Sequence, residues 1–139
     1  MRQLQALIPA RAGSERLPGK NVAMIGDKPM IEWTIISAKH SKLFDRIVVS
    51  TNDVRVRDIA RKYDALIIEQ PDFEQDEKAM TRVVRHALEL HYLTYTMLLQ
   101  PTSPFRTARH MTEAWDLFQP DNGKWSHRAR SSRHVPHPL

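Results

Sequence analysis

The chain has 139 residues, enough for one domain and no more. Its hydrophobic content of 41% is ordinary for a globular protein. No apolar run approaches the roughly 20 residues of a membrane span, no basic region followed by an apolar core opens the N-terminus as in a secretory signal, and the absence of cysteine excludes disulfides and thiolate metal sites. A cytoplasmic protein with no membrane association is the expectation. The net charge of +5 invites a nucleic-acid reading, but residues 119–139 hold Lys124, Arg128, Arg130 and Arg133 against Asp121 alone. That segment carries +3, leaving +2 for residues 1–118, where both signs are interspersed. Nucleic acid is therefore not the expected partner.

Leu4 to Ile8 is a short apolar run and reads as a buried strand. Val22 to Ile25 is a second apolar stretch, and Gly26-Asp27-Lys28-Pro29 reads as a turn. Met30 to Ala38 has apolar residues at helical spacing, with Pro29 suited to the first helical position. Ile47-Val48-Val49-Ser50 is a β-branched second strand. Thr51-Asn52-Asp53 is a capping cluster for a helix that ends near Tyr63, and Val54, Ile59, Ala60 and Tyr63 form its predicted apolar face. Asp53 reads as a cap rather than a metal ligand.

Ala65 to Ile68 is the third strand, ended by Pro71, and the acidic stretch Asp72 to Lys78 reads as a solvated loop. Met80, Val83, Val84, Ala87 and Leu88 mark a third helix to about Leu90. Tyr95 to Leu99 is the fourth strand, followed by the rigid loop Gln100 to Arg106. Thr107 can cap a last helix, Ala108 to Phe118, with Met111, Ala114, Trp115 and Phe118 on one face. Residues 119–139 lack apolar periodicity and read as a basic, irregular tail; their three histidines fit no compact metal site.

Strands that alternate with helices predict an α/β fold with a parallel sheet covered on both faces. Ligands of such sheets bind beyond the carboxyl ends of the strands. The loops at 9–21, 50–53 and 100–106 all leave from those ends. The first joins glycines, Arg11, Arg16 and Lys20 in a pattern suited to phosphate, because glycine lets the backbone approach an anion that the cations neutralise. It matches neither a Walker A sequence nor a dinucleotide fingerprint.

The string Ile8-Pro9-Ala10-Arg11-Ala12-Gly13-Ser14-Glu15-Arg16-Leu17-Pro18-Gly19-Lys20-Asn21 resembles the signature of the acylneuraminate cytidylyltransferases, the CMP-sialic acid synthetases with their pseudaminic and legionaminic relatives. Gly26 to Ile31, Phe44 to Thr51 and Leu98 to Arg106 agree in order and spacing, so the likeness runs from about Leu4 to Phe118. The resemblance implies a Rossmann-like three-layer nucleotidyltransferase fold with a mostly parallel sheet, incomplete at the C-terminus. Residues 1–118 would be the nucleotide-binding part. The implied reaction transfers CMP from CTP to a nine-carbon keto-sugar acid and releases pyrophosphate.

By the same resemblance Arg11 and Lys20 are the catalytic, triphosphate-binding cations. Ala10, Gly13, Ser14, Asn21 and Thr81 join them at the nucleotide. Thr102, Ser103 and Arg106 belong to the substrate loop, and Gln100 either faces the sugar or satisfies backbone groups at a strand end. Gln70 stands where many members have an arginine that helps read the base. The family uses magnesium, but its paired aspartates, its dimer-forming arm and part of the sugar pocket lie in a half with no counterpart here, so no metal ligand is assigned. A homodimer is the family's usual state.

A shifted reading frame or premature end is one explanation for residues beyond about 123, and translating the coding DNA in the other frames tests it. The alternative functions are a catalytically inactive, truncated nucleotide-binding remnant and a pseudaminic or legionaminic acid cytidylyltransferase.

Overall fold

The structure is a computed structural model, and it describes residues 3–13, 19–91, 95–102 and 107–118. Its centre is strand β1 (Leu4–Pro9), in which every residue is buried. β4 (Arg46–Thr51) pairs with it on one side and β6 (Tyr95–Leu98) on the other, both parallel, and β5 (Leu66–Glu69) extends the sheet beyond β4. The four-stranded order is β5-β4-β1-β6. Between β1 and the first helix, β2 (Met24–Ile25) and β3 (Lys28–Pro29) form an antiparallel hairpin around Gly26 and Asp27. The stretch read as a turn is therefore half turn and half strand. Trp33 Nε1 pins the hairpin by donating to the carbonyl of Ile25 at 2.7 Å.

Alternation along the strands sorts the apolar residues into two layers. Leu4, Ala6 and Ile8 of β1, with Val49 of β4, face one way. There they meet Ile31, Ile35 and Ala38 of α1 (Met30–Ser41), Val56 and Ala60 of α2 (Val54–Lys62), and Met111 and Trp115 of α4 (Ala108–Phe118). Leu7, Val48 and Ile68 face the other way, against Ala87 of α3 (Ala79–Leu90). The result is a three-layer arrangement of helices, sheet and helix, as expected. No helix among the described residues is long and apolar enough to cross a membrane.

Local chemistry explains the boundaries. Pro29 is the N-cap of α1 with extended backbone (φ −58°, ψ 149°), one residue earlier than the sequence reading placed it. Thr107 and His110 cap α4 reciprocally: His110 N donates to Thr107 Oγ1 at 3.3 Å, and Thr107 N donates to His110 Nδ1 at 3.2 Å. Tyr95 at the start of β6 packs edge-on to Trp115 and Phe118, with ring centroids 5.5 and 5.6 Å away.

A polar latch joins α1 to the end of α2. Tyr63 donates to the buried Glu32 carboxylate at 2.6 Å, and Lys62 Nζ lies 2.9 Å from the same oxygen. Burial alone would raise the Glu32 pKa, but these donors outweigh it and hold the carboxyl below its ordinary value. Burial and the bond to Glu32 push the Tyr63 phenol up to about 12.

Two apolar faces differ from expectation. Val54 is 62% exposed, because it opens α2 on the solvent side, and Val56 takes the buried position instead. Ala114 is exposed, and α4 buries Met111 and Trp115. Val56→Ala should therefore lower stability by about 2 kcal/mol, from lost methyl burial plus the residual cavity. Val54→Ala should change it by less than about 0.5 kcal/mol. Urea unfolding of both variants checks the assignment, and equal midpoint shifts would refute it.

Candidate functional site

The chain passes from β1 to β4 and β5 on one side, then returns to β6 on the other side of β1. The direction of winding thus reverses between β1 and β6, and the crevice beyond their carboxyl ends is where open α/β sheets bind ligands. A cleft lies there, lined by Pro9, Arg11, Lys20 and Asn21 after β1, Gln100, Pro101 and Thr102 after β6, and Gln70 after β5. Gln75, Ala79, Met80 and Val83 close it from the loop before α3 and from α3 itself. Of the predicted site residues, Arg11, Lys20, Asn21, Gln100 and Thr102 meet in this one cleft, although 91 positions separate the first from the last.

The loop after β1 is held in place by the ends of β4. Ala10 N donates to Ser50 O at 2.8 Å, and Thr51 Oγ1 donates to Ala10 O at 2.6 Å. Asn52 Oδ1 accepts from Ala12 N at 2.6 Å. The buried Asn21 donates from Nδ2 to Arg11 O at 3.1 Å, so its side chain ties the two ends of the loop together. Ala10 is buried at this anchor and Gly13 is exposed with φ 72°.

Gly19 precedes Lys20 in a left-handed conformation (φ 73°), and the Arg55 guanidinium lies 3.5 Å from where a Cβ would sit. That spacing is ordinary contact, so it is the left-handed backbone that favours glycine there. Arg55 is itself fixed by Asp53, which accepts from its Nη2 at 3.0 Å and Nε at 3.2 Å, and from its backbone N–H at 2.9 Å as the N-cap of α2. The Arg55 side-chain bonds, aided by the backbone N–H, outweigh burial and keep the Asp53 carboxyl below its ordinary value. Asp53 is thus a cap and a brace.

Ser14, Ser103, Arg106 and the tail 119–139 lie outside the described residues. Thr81 is exposed and does not line the cleft; it lines a neighbouring apolar groove with Val84, Leu88 and Leu98, and Met80 borders both. Successive helix positions are about 100° apart, so with Met80 and Val83 facing the cleft, Thr81 faces away. Met80 borders the cleft instead of filling the core.

Gln75 reaches the cleft because its loop is latched to α3. Asp76 accepts from Arg82 Nη1 at 2.7 Å and Nη2 at 2.9 Å, and Phe73 packs edge-on to His86 at 6.0 Å. The alternation of polar residues in this loop gave no sign of that. Among the described residues no three His, Cys, Asp or Glu side chains lie close enough to hold a metal ion, and none lining the cleft is acidic. The described residues thus offer no set of three such ligands for magnesium.

A family model described as "Cytidylyltransferase" matches residues 5–134. The chain belongs to the cytidylyltransferase family. It is 39% identical over 117 residues to an N-acylneuraminate cytidylyltransferase of Escherichia coli O18:K1:H7, covering 82% of this chain and 28% of that protein. It is also 39% identical over 121 residues to a CMP-N,N'-diacetyllegionaminic acid synthase of Legionella pneumophila, covering 80% of this chain and 52% of that one. Among solved structures it resembles a CMP:2-keto-3-deoxy-manno-octonic acid synthetase complexed with CTP. That match has a TM-score of 0.72 and 26% identity over 82% of this chain and 46% of the other. The chain thus spans about half or less of the length of these cytidylyltransferases.

Asp53→Ala should destabilise the fold by about 0.5–2 kcal/mol near neutral pH, as loss of an N-cap does. Because the folded pKa is depressed, this contribution is present above the ordinary carboxylate pKa and is lost as pH falls through the folded value. Chemical unfolding of wild type and variant across the acid range should show the difference closing; a constant difference would contradict the pairing.

Proposed function

We propose that the cleft binds the triphosphate of CTP and that the protein of which this chain is the nucleotide-binding part transfers CMP to a nonulosonic acid, an N-acylneuraminate or a close relative. The observation that carries this reading is the meeting of Arg11 and Lys20 with Gln100 and Thr102 at one switch point of a parallel sheet. Cations at the end of β1 suit phosphates. Neutral hydrogen-bonding groups after β6 suit a hydroxylated acceptor.

In the proposed reaction the anomeric hydroxyl of the sugar acid attacks the α-phosphorus. The new P–O bond forms as the bond to the β-phosphate oxygen breaks and pyrophosphate leaves. Arg11 and Lys20 offset the negative charge that gathers on the leaving group. Asn21 acts indirectly, by fixing the carbonyl of Arg11. The described residues assign no ligand to magnesium, and no step here depends on it.

The relatives support a keto-sugar acid and divide over which: their names include the nine-carbon N-acylneuraminate, diacetyllegionaminic and pseudaminic enzymes and the eight-carbon 3-deoxy-manno-octulosonate enzymes. In sequence the octulosonate enzyme of Leptospira interrogans matches over 45% of this chain and the N-acylneuraminate enzyme over 82%, which supports the nine-carbon acids.

Titration with CTP, UTP, ATP and GTP, with and without magnesium, should show CTP bound most tightly. Arg11→Ala and Lys20→Ala should each weaken that binding roughly 10- to 100-fold, the worth of a charge-assisted hydrogen bond. Unchanged affinity in both variants would refute the triphosphate assignment. Pyrophosphate release with CTP and N-acetylneuraminate separates an enzyme from a binder without turnover.

A further inference from the structure

We propose that a second copy of this chain docks on the groove between α3 and β6, forming a two-fold dimer. The surface is distinct from the nucleotide cleft, although Met80 borders both, and from the arm that the resemblance assigns to the family's dimer. The inference stands apart from the nucleotide reading.

The two faces of the sheet are unequally covered. α1, α2 and α4 pack on one. Among the described residues α3 alone packs on the other, where it buries Val83 and Ala87, and Ala87 meets Leu7 of β1. β6 lies beyond β1 at the edge of the sheet, with no described strand on its outer side. A groove is left between the helix and this edge. Leu98 of β6 is its floor, and Met80, Val84 and Leu88, spaced one helical turn apart, are its wall. Thr81, Arg85 and Glu89 form its rim, and all three are exposed.

A polypeptide suits this surface better than a small ligand. Ligand pockets aim a few polar groups inward, whereas here the charges stand on the rim. An edge strand offers unpaired N–H and C=O groups, and natural edges are blunted by lysine, proline or a bulge. β6 reads Tyr-Thr-Met-Leu and carries neither lysine nor proline. An added strand can bond to such an edge while its neighbouring side chains fill the groove.

The rim says which polypeptide. Arg85 and Glu89 have opposite charge and lie one turn apart, yet neither side chain has a partner among the described residues. Arg followed by Glu four residues on is the weaker order for pairing within one helix. A two-fold axis that crosses between them, near Ala87, lays two α3 helices antiparallel. Arg85 of each copy then meets Glu89 of the other, and Val84 and Leu88 of both copies share one apolar seam. Where that axis is perpendicular to the sheet, the two β6 edges also run antiparallel, and the sheet continues from one copy into the next. An isologous interface requires a surface complementary to itself. A rim of a single charge sign would repel its own copy; this one attracts it.

Sedimentation velocity of the full chain over a concentration series tests this on wild type, Arg85→Glu, Glu89→Arg and an equal mixture of the two variants. Both positions are exposed, so the substitutions leave the core intact. Wild type should shift from monomer to dimer as concentration rises. Each variant alone sets like charges against each other at both symmetric contacts, so its self-association should weaken about tenfold or more. In the mixture the Arg85→Glu copy has an acidic rim and the Glu89→Arg copy a basic one. They should associate at least as tightly as wild type, a rescue that no contact within one helix can produce and that certifies both folds.

A wild type that stays monomeric at millimolar concentration overturns the proposal and leaves the groove to residues 119–139 or to a different protein. A wild-type dimer that either single variant leaves unchanged overturns it too, as does a mixture no more associated than its components.

Discussion

The seam between the carboxyl ends of β1 and β4 is the constraint on which the site depends. Ala10 is bonded on both sides, its N–H to Ser50 and its carbonyl to Thr51, and Asn52 holds Ala12 two residues on. A basic loop after a strand would otherwise sample many conformations, because its cations repel one another and its glycines impose little restraint. The seam fixes where the loop leaves the sheet. Asn21 then fixes where it returns, through the carbonyl of Arg11. Among the described residues, Arg11 and Lys20 are thus brought to one cleft by neutral hydrogen bonds, with no carboxylate paired to either. They remain available to an anion.

Three carboxylates are engaged within the fold rather than in the cleft. Asp53 is engaged by Arg55 and by the start of α2, Asp76 by Arg82, and Glu32 by Tyr63 and Lys62. Each of these three carboxylates is committed to the fold. Arg55 also packs its guanidinium beside Gly19, next to Lys20. Structural ion pairs and ligand-facing cations therefore sit side by side with distinct roles.

Much of this was legible in the sequence. Four short apolar runs gave the four parallel strands, because strands buried on both faces need no alternation with polar residues. The phosphate-type loop and the Pro-Thr-Ser-Pro loop identified two of the three segments that build the cleft. What the sequence obscured was tertiary. Val54 and Val56 are equally apolar, and only the path of the chain into α2 decides which is buried. Thr81 carried a family likeness, but helical phase turns it away from its neighbours Met80 and Val83. Gln70 could be noticed as a departure from a common arginine, yet its pairing with Ser50 joins β4 to the end of β5 across 20 positions and leaves no periodic trace.

The central claim is that one cleft at the switch point between β1 and β6 receives a nucleotide with its phosphates on Arg11 and Lys20. Backbone amide shifts of the nitrogen-15-labelled chain, followed by nuclear magnetic resonance as CTP is added, test it most directly. The account expects the largest changes at Arg11 to Gly13, Lys20, Gln70 and Gln100, with α4 and the Glu32–Tyr63 latch little affected. Changes confined to the groove beside Thr81 and Leu88, or no changes at millimolar CTP, would contradict it.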